Sequence, residues 1–253
     1  MIQPVNLSIN LNKIALLRNQ RDVGYPSVVE AGETILAAGA QGLTVHPRPD
    51  ERHIRRSDVG EIAALVRRHP GIEFNVEGYP SEEFLDLVCR IQPDQVTLVP
   101  DDPHQATSDH GWDVVAQGGL LEPVIARLKQ AGTRVSLFMD AEAAPMATVK
   151  ALGADRIELY TGPYAWAYGG PDEAAQVEAY RRAARAAQQN GLGINAGHDL
   201  TLDNLPTFLA AVPDLLEVSI GHAFTSDALW MGLNGAIRAY LSALSSAGHR
   251  RCA

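Results

Sequence analysis

The chain has 253 residues, 46% hydrophobic and 20% charged, enough apolar material for one large core. A formal charge of −9 argues against a general affinity for nucleic acid or anionic membranes, both of which call for a basic surface. The two cysteines, Cys89 and Cys252, lie far apart and exclude a disulfide framework or a Cys-rich metal site, which fits a reducing cytoplasm.

The N-terminus, MIQPVNLSINL, runs into a strand-like pattern with no basic n-region before a long apolar run, and no apolar stretch reaches the roughly 18 residues of a membrane span. The expectation is a soluble, untargeted protein. Short apolar, β-branched runs then recur at 5–11, 42–46, 72–77, 95–99, 134–140, 156–161, 192–197 and 216–221, which predicts eight strands. Segments with helical periodicity lie between them, among them those starting at 81, 120 and 172, with Ser or Asp at some of their starts. Glycine closes several helices in AAGAQG, KQAG and KALGAD. Strand and helix alternate throughout, and eight units in this length predict one α/β domain over residues 1–253: a single (β/α)8 TIM barrel with extra helices. An open doubly wound sheet is the competitor, but no G-x-G-x-x-G turn follows the first strand.

Two connections exceed ordinary length, 100–117 and 162–171, with a third stretch around 12–26. Each follows a strand, on the face where barrel enzymes work, so they read as lids or binding loops. A helical tail from 225 to 247 carries Leu229, Trp230, Leu233, Ile237, Tyr240 and Leu241, a stripe suited to packing on the barrel or on a neighbouring subunit.

Polar residues interrupt the strands at their C-terminal ends. The first ends in Asn10, Asn12 and Lys13, the second in His46 and Arg48, the third in Glu77 and the fifth in Asp140. The sixth ends in Glu158 and Thr161, the seventh in His198 and Asp199, and the eighth in Gly221 and His222. Any one of these alone reads as a hydrogen-bonded strand end or helix cap. As a set, Glu77 with His46 and His198 offers a carboxylate and two imidazoles, groups that exchange protons near neutral pH without a cofactor. A metal site built from His46, Glu77, Asp140, Glu158, His198 and His222 is the sharpest rival, although no tight ligand spacing such as H-E-x-x-H supports it. Lys13 could also form a Schiff base with a carbonyl substrate, or simply contact an anion.

Phosphate binding has separate support. The stretches NAGHD (195–199) and SIGHAFTSD (219–227) follow strands seven and eight, where barrels often hold phosphate on backbone N–H groups, and Gly197 and Gly221 allow close approach. Only three lysines occur, so most positive charge is arginine. HPRPDERHIRR (46–56) and the pair Arg18 and Arg21 gather it after strands two and one, which suggests two anionic groups.

These residues carry a resemblance. I-N-L-N-K-I-A-L-L-R-N-Q-R (9–21), G-L-T-V-H-P-R-P-D-E-R-H-I (42–54), N-V-E (75–77), V-S-L-F-M-D (135–140), I-E-L-Y-T-G-P-Y-A (157–165), N-A-G-H-D-L (195–200) and I-G-H-A (220–223) form an ordered set. The set resembles the pyridoxine 5′-phosphate synthase family of vitamin B6 biosynthesis nearly end to end. The resemblance implies condensation of 1-deoxy-D-xylulose 5-phosphate with 3-amino-2-oxopropyl phosphate to pyridoxine 5′-phosphate, phosphate and water, with no metal or organic cofactor. It also implies a homo-oligomer, an octamer, in the cytoplasm.

By position in the motifs, the resemblance makes His46 and Glu77 the proton acceptors and His198 the proton donor. It implies substrate contacts from Asn10, Asn12, Lys13, Arg21, Arg48, His53 and Thr107, with Asp199 and the Gly221–His222 pair at phosphate. Two positions depart from the common pattern. Asn12-Lys13 stands where many members have Asp-His, and Asp199 stands where glycine commonly follows the histidine. A carboxylate at 199 repels phosphate unless it points away or caps a helix beginning at 200.

Overall fold

The structure is a computed structural model that describes residues 4–101 and 108–250, with side chains to 245. Eight parallel strands close on themselves: β1 (Asn6–Asn10), β2 (Gly42–Val45), β3 (Glu73–Gly78), β4 (Gln95–Leu98), β5 (Arg134–Met139), β6 (Arg156–Tyr160), β7 (Gly193–Gly197) and β8 (Leu215–Ile220). Pairing of Ser8 with Ser219 and of Ile9 with Ile220 seals β1 to β8. Every strand lies within a residue of its predicted position, and the (β/α)8 TIM barrel is the fold.

The helices are α1 (Asn12–Asn19), α2 (Val28–Ala37), α3 (Arg56–Val66), α4 (Glu82–Ile91), α5 (Gly118–Gln130) and α6 (Met146–Ala151), then α7 (Gly162–Ala167), α8 (Glu173–Gln189), α9 (Leu205–Ala211) and α10 (His222–Arg250). Ser27 and Ser81 cap α2 and α4 by accepting the N–H groups of Glu30 and Phe84. The glycines read as helix ends, Gly39, Gly132 and Gly153, have φ of 111°, 85° and 97°, a left-handed conformation that side chains resist. Among the described residues no helix is long and apolar enough to cross a membrane.

The strands alternate strictly. Leu7, Ile9, Leu43, Val45, Phe74, Val76, Val96 and Leu98 join the main core shared with the helices. Their neighbours Ser8, Thr44, Asn75 and Thr97 bond to one another: Ser8 Oγ to Thr44 Oγ1 at 2.8 Å and Thr97 Oγ1 to Asn75 Oδ1 at 3.1 Å. Successive side chains on a strand point to opposite faces, so these polar residues fill the barrel axis. Most barrels fill that space with branched apolar side chains. Further down the axis Arg134 Nε and Asn195 Nδ2 both donate to Gln95 Oε1, at 2.9 and 3.3 Å. Val99, Phe138 and Tyr160 are the exception, forming a small apolar cluster apart from the main core.

Two of the long connections differ from expectation. The 12–26 stretch holds α1, and 162–171 holds α7, which Pro163 starts at its first turn. In the third, residues 102–107 lie outside the described residues. Its later part is anchored: Trp112 donates from Nε1 to Leu98 O at 2.8 Å and from its backbone N to Phe138 O at 3.0 Å. The apolar tail splits at Gly232, where φ is 68°: Ile237 and Tyr240 are buried on the barrel, while Leu229 and Trp230 are 72% and 88% exposed.

Candidate active site

At the C-terminal mouth of the barrel lies a cavity of about 270 Å³. Eleven of the thirteen residues expected at a site line it. His46, Glu77 and His198 arrive from β2, β3 and β7, Asn10 from the end of β1, Asn12 and Lys13 from the start of α1, and Arg48 and His53 from the β2 loop. Asp199, Gly221 and His222 complete the ring from the ends of β7 and β8. Arg21 is exposed beyond the end of α1 and does not line the cavity, because α1 carries it away from the strand end. Thr107 lies outside the described residues.

His46 is buried, with Nδ1 3.9 Å from Glu77 Oε2 and Nε2 4.0 Å from Asp101 Oδ2. Burial first, then the nearby His53 and Arg48, holds the imidazole well below its ordinary value of 6.5, so it is neutral. Burial, reinforced by Glu158, Asp101 and Glu217, pushes the Glu77 carboxyl well above the ordinary 4.5. His198 is held at about 4 by burial, although adjacent Asp199 works the other way. His53 is also held at about 4 by burial, then by Arg48 and Lys13. Its Nδ1 accepts the Ile54 N–H at 2.9 Å, so the ring proton sits on Nε2.

The amides of Asn10, at the end of β1, and Asn12, at the start of α1, organise this corner. Asn10 Nδ2 donates to Glu77 Oε2 at 3.3 Å, and Asn10 Oδ1 accepts the Asn12 N–H at 2.9 Å. Asn12 Oδ1 accepts the His46 backbone N–H at 3.0 Å. Asn12 therefore aims His46, a tie that a carboxylate could equally accept but that needs no charge.

The arginines divide. Arg48 Nη1 reaches Asp101 Oδ2 at 2.7 Å, an oxygen that Ser108 Oγ also approaches at 2.8 Å. Arg18, grouped by sequence with the anion-binding residues, instead makes a buried bidentate pair with Asp58 at 2.6 and 2.9 Å. Arg52 and Arg56 bond to Asp50 and Glu83 nearer the surface. The two clusters of positive charge thus reduce to Arg48 and Lys13 at the cavity, with His53 beside them.

Asp199 does not cap a helix at 200. Helix α9 starts at Leu205, and Thr201 and Asn204 bond each other's backbone N–H at its entrance. Three residues line the cavity beyond those expected to act on or contact substrate: Ser108, Ser219 and Glu158, which the sequence marked only as a strand-end carboxylate and possible metal ligand. Glu158 carries the most chemistry, because burial, then Glu217, pushes it to about 8. It was a visible signal, a charged residue at an inward position of an apolar strand. Among the described residues no group of three or more His, Cys, Asp or Glu side chains is gathered to hold a metal ion.

A closed parallel barrel with neutral imidazoles and high-pKa carboxyls at its C-terminal mouth defines a (β/α)8-barrel enzyme equipped for proton exchange. The model of one family, described as "Pyridoxal phosphate biosynthesis protein PdxJ", matches residues 7–246, and the chain belongs to that family. Curated relatives named pyridoxine 5′-phosphate synthase, from Brucella abortus and Brucella anthropi, are 56% identical over 244 residues, spanning 96% of this chain and 99% and 100% of theirs. Solved structures share the fold at low identity. A thiamine phosphate pyrophosphorylase from Pyrococcus furiosus superposes with a TM-score of 0.60 at 14% identity, over 96% of both chains. TrpF from Jonesia denitrificans gives 0.60 at 17%, over 96% of this chain and 98% of that one.

Proposed function

We propose that the chain is a pyridoxine 5′-phosphate synthase, joining 3-amino-2-oxopropyl phosphate and 1-deoxy-D-xylulose 5-phosphate into pyridoxine 5′-phosphate with loss of phosphate and water. The observation that supports this most is that His46, Glu77 and His198, on three different strands, meet in one cavity beside Arg48 and Lys13. The reaction begins with attack of the substrate amine on the ketone. His198 gives the proton that lets the carbinolamine hydroxyl leave as water. Loss of phosphate and aldol-type closure then need carbon-bound protons removed, the work of neutral His46 and of Glu77, which alternates between acid and base.

The phosphate groups find the start of α10, where Gly221 and His222 put first-turn backbone N–H groups at the cavity, and the cations Lys13 and Arg48. Two bound dianions raise the proton affinity of every imidazole near them, so His198 becomes a better donor once substrate is in place. Asp199 favours the protonated imidazole in the same way. We take the working form to be a homo-oligomer, a reading supported by exposed Leu229, Trp230 and Met231 that sedimentation tests directly, and its two cysteines, far apart in sequence, fit a reducing cytoplasm.

The deciding experiment mixes purified protein with both phosphate esters and follows pyridoxine 5′-phosphate by absorbance and mass. Formation that persists in EDTA is expected. No product from the folded protein overturns the reading.

A further inference from the structure

The imidazole of His198 rests on an aromatic wall. Phe138, on β5, lies with its ring centroid 5.0 Å away and its plane inclined by 53°. Tyr160, the last residue of β6, stands at 5.5 Å and 89°, an edge-to-face contact. The two wall residues pack on each other at 5.5 Å and form, with Val99, the one apolar cluster on the polar barrel axis among the described residues.

Tyr160 is itself fixed from several sides. Tyr180 donates its hydroxyl proton to the Tyr160 carbonyl, and Trp166 presents an edge contact at 6.3 Å. Gly162 makes room for the phenol: a Cβ at that position would overlap the Tyr160 hydroxyl. Gly162 is not among the glycines with positive φ, so space rather than backbone freedom accounts for it. The backbone of His198 is the strained partner. Its φ is 87°, a region that costs a non-glycine residue on the order of 1–2 kcal/mol. Leu200 N bonds its carbonyl at 2.7 Å, and Thr161, next to Tyr160, donates its N–H and hydroxyl to Gly197 O at 3.2 and 2.6 Å. The end of β6 therefore grips both the backbone before His198 and the ring of His198.

We propose that Tyr160 is a positioning residue for His198: its ring edge, backed by Phe138, fixes the plane of the imidazole and bars water from that face, so that one ring nitrogen is presented to substrate. The proposal rests on the reading of His198 as proton donor. The charged and titratable groups around the ring are Lys13 from α1, His46 from β2 and adjacent Asp199, with Asp109 and Asp140 acting on Tyr160. Burial and those carboxylates raise the phenol above its usual value, so it stays un-ionised and the wall stays neutral.

The test compares Tyr160→Leu, Tyr160→Phe and His198→Gln by steady-state kinetics and by NMR titration of the His198 Cε1 proton. For Tyr160→Leu, kcat falls about 10- to 100-fold while both KM values hold within about 3-fold, as expected for loss of alignment alone. The His198 titration moves up from about 4 toward the ordinary imidazole value. Tyr160→Phe restores both. Wild-type kcat with an unmoved titration in Tyr160→Leu overturns the proposal, as does a Tyr160→Phe variant as slow as Tyr160→Leu. If Tyr160→Leu fails to fold, Phe138→Leu removes the other half of the wall, and the same pair of readouts decides. Full turnover in His198→Gln sinks the donor assignment instead, and the titration still reads whether Tyr160 positions the ring.

Discussion

His46 Nδ1 lies 3.9 Å from Glu77 Oε2, beyond hydrogen-bond distance. Burial lowers the imidazole and raises the carboxyl, so each is pushed toward its uncharged form across that gap. In the proposed reaction, two groups of opposite proton appetite would take protons from carbon and return them to oxygen. An ion pair in the same place would have spent that capacity. Glu77→Gln keeps an oxygen for Asn10 Nδ2 and should fold normally. Its kcat is expected to fall about 10²- to 10⁴-fold, the range of a lost general acid–base group, with a melting temperature at or above that of the wild type. Kinetics and a thermal melt check both, and near-normal ring closure by this variant removes Glu77 from the mechanism.

Beneath Glu77 the barrel axis carries two more buried carboxyls, Glu158 pushed to about 8 and Glu217 to about 7. In the unfolded chain both titrate near 4.5. Between those values the unfolded chain has lost protons that the folded one keeps, so stability falls as pH rises and is fully present only below the unfolded value. The melting temperature of the wild type should decline from about pH 5 to about pH 8 through this linkage. Glu158→Gln, which has no proton to lose, should flatten the decline. Parallel melting curves for the two proteins across that window would mean that Glu158 is ionised in the fold.

Arg18 and Asp58, 8% and 6% exposed at their side chains, brace the loop that carries His53. Arg18 Nη2 also donates to the His53 carbonyl at 3.1 Å, and Asp58 Oδ2 accepts the Arg55 N–H at 2.7 Å at the start of α3. Arg18→Met strands a buried carboxylate and is expected to cost about 3–5 kcal/mol in urea denaturation. Substrate KM rises in the same variant, since Arg48 and His53 sit on the loop it releases. A loss under about 1 kcal/mol would mark the pair as a solvated one.

The strands and the meeting of His46, Glu77 and His198 at one cavity were legible in the sequence because both follow local rules: apolar runs mark strands, and polar residues at their C-terminal ends gather at one mouth of the barrel. The polar axis is legible too. V-N-L-S-I-N-L alternates strictly, whereas parallel strands buried on both faces usually read as continuous apolar runs. What stayed hidden was pairing at a distance. Nothing near Arg18 says that its partner is forty positions on, and nothing near Arg48 names Asp101, 53 residues later. Charge in a loop therefore looked like anion binding when half of it was structural. The short helices α1 and α7 escaped because eight and six residues carry too little periodicity, although the Gly-Pro at 162 was a start signal.

Lys13 and Asp199 place opposite charges at one cavity without an ion pair between them within 4.0 Å among the described residues. That leaves the ammonium available to a substrate phosphate. Lys13→Ala is expected to raise the KM of a phosphorylated substrate about tenfold or more, the effect of losing one charged hydrogen bond, and to weaken the salt dependence of KM. Borohydride added with 1-deoxy-D-xylulose 5-phosphate should leave Lys13 unmodified. A substrate-sized mass gain at Lys13 would make it a covalent participant instead.

Gly197 sits directly before His198, and a Cβ there would overlap Glu158 Oε1 and come within 3.3 Å of the Ser219 carbonyl. The Ser219 carbonyl belongs to β8 and cannot move without opening the sheet, so the Glu158 carboxyl has to give way. Gly197→Ala is expected to destabilise by about 1–3 kcal/mol, the usual cost of overpacking, and to lower kcat as His198 shifts with its neighbour. Glu158→Ala empties the space the new methyl group needs. The double variant Gly197→Ala/Glu158→Ala should therefore be more stable than the sum of the single losses predicts, by about 1 kcal/mol in a double-mutant cycle. Additive losses would show that the methyl group strains the β8 backbone rather than the Glu158 carboxyl.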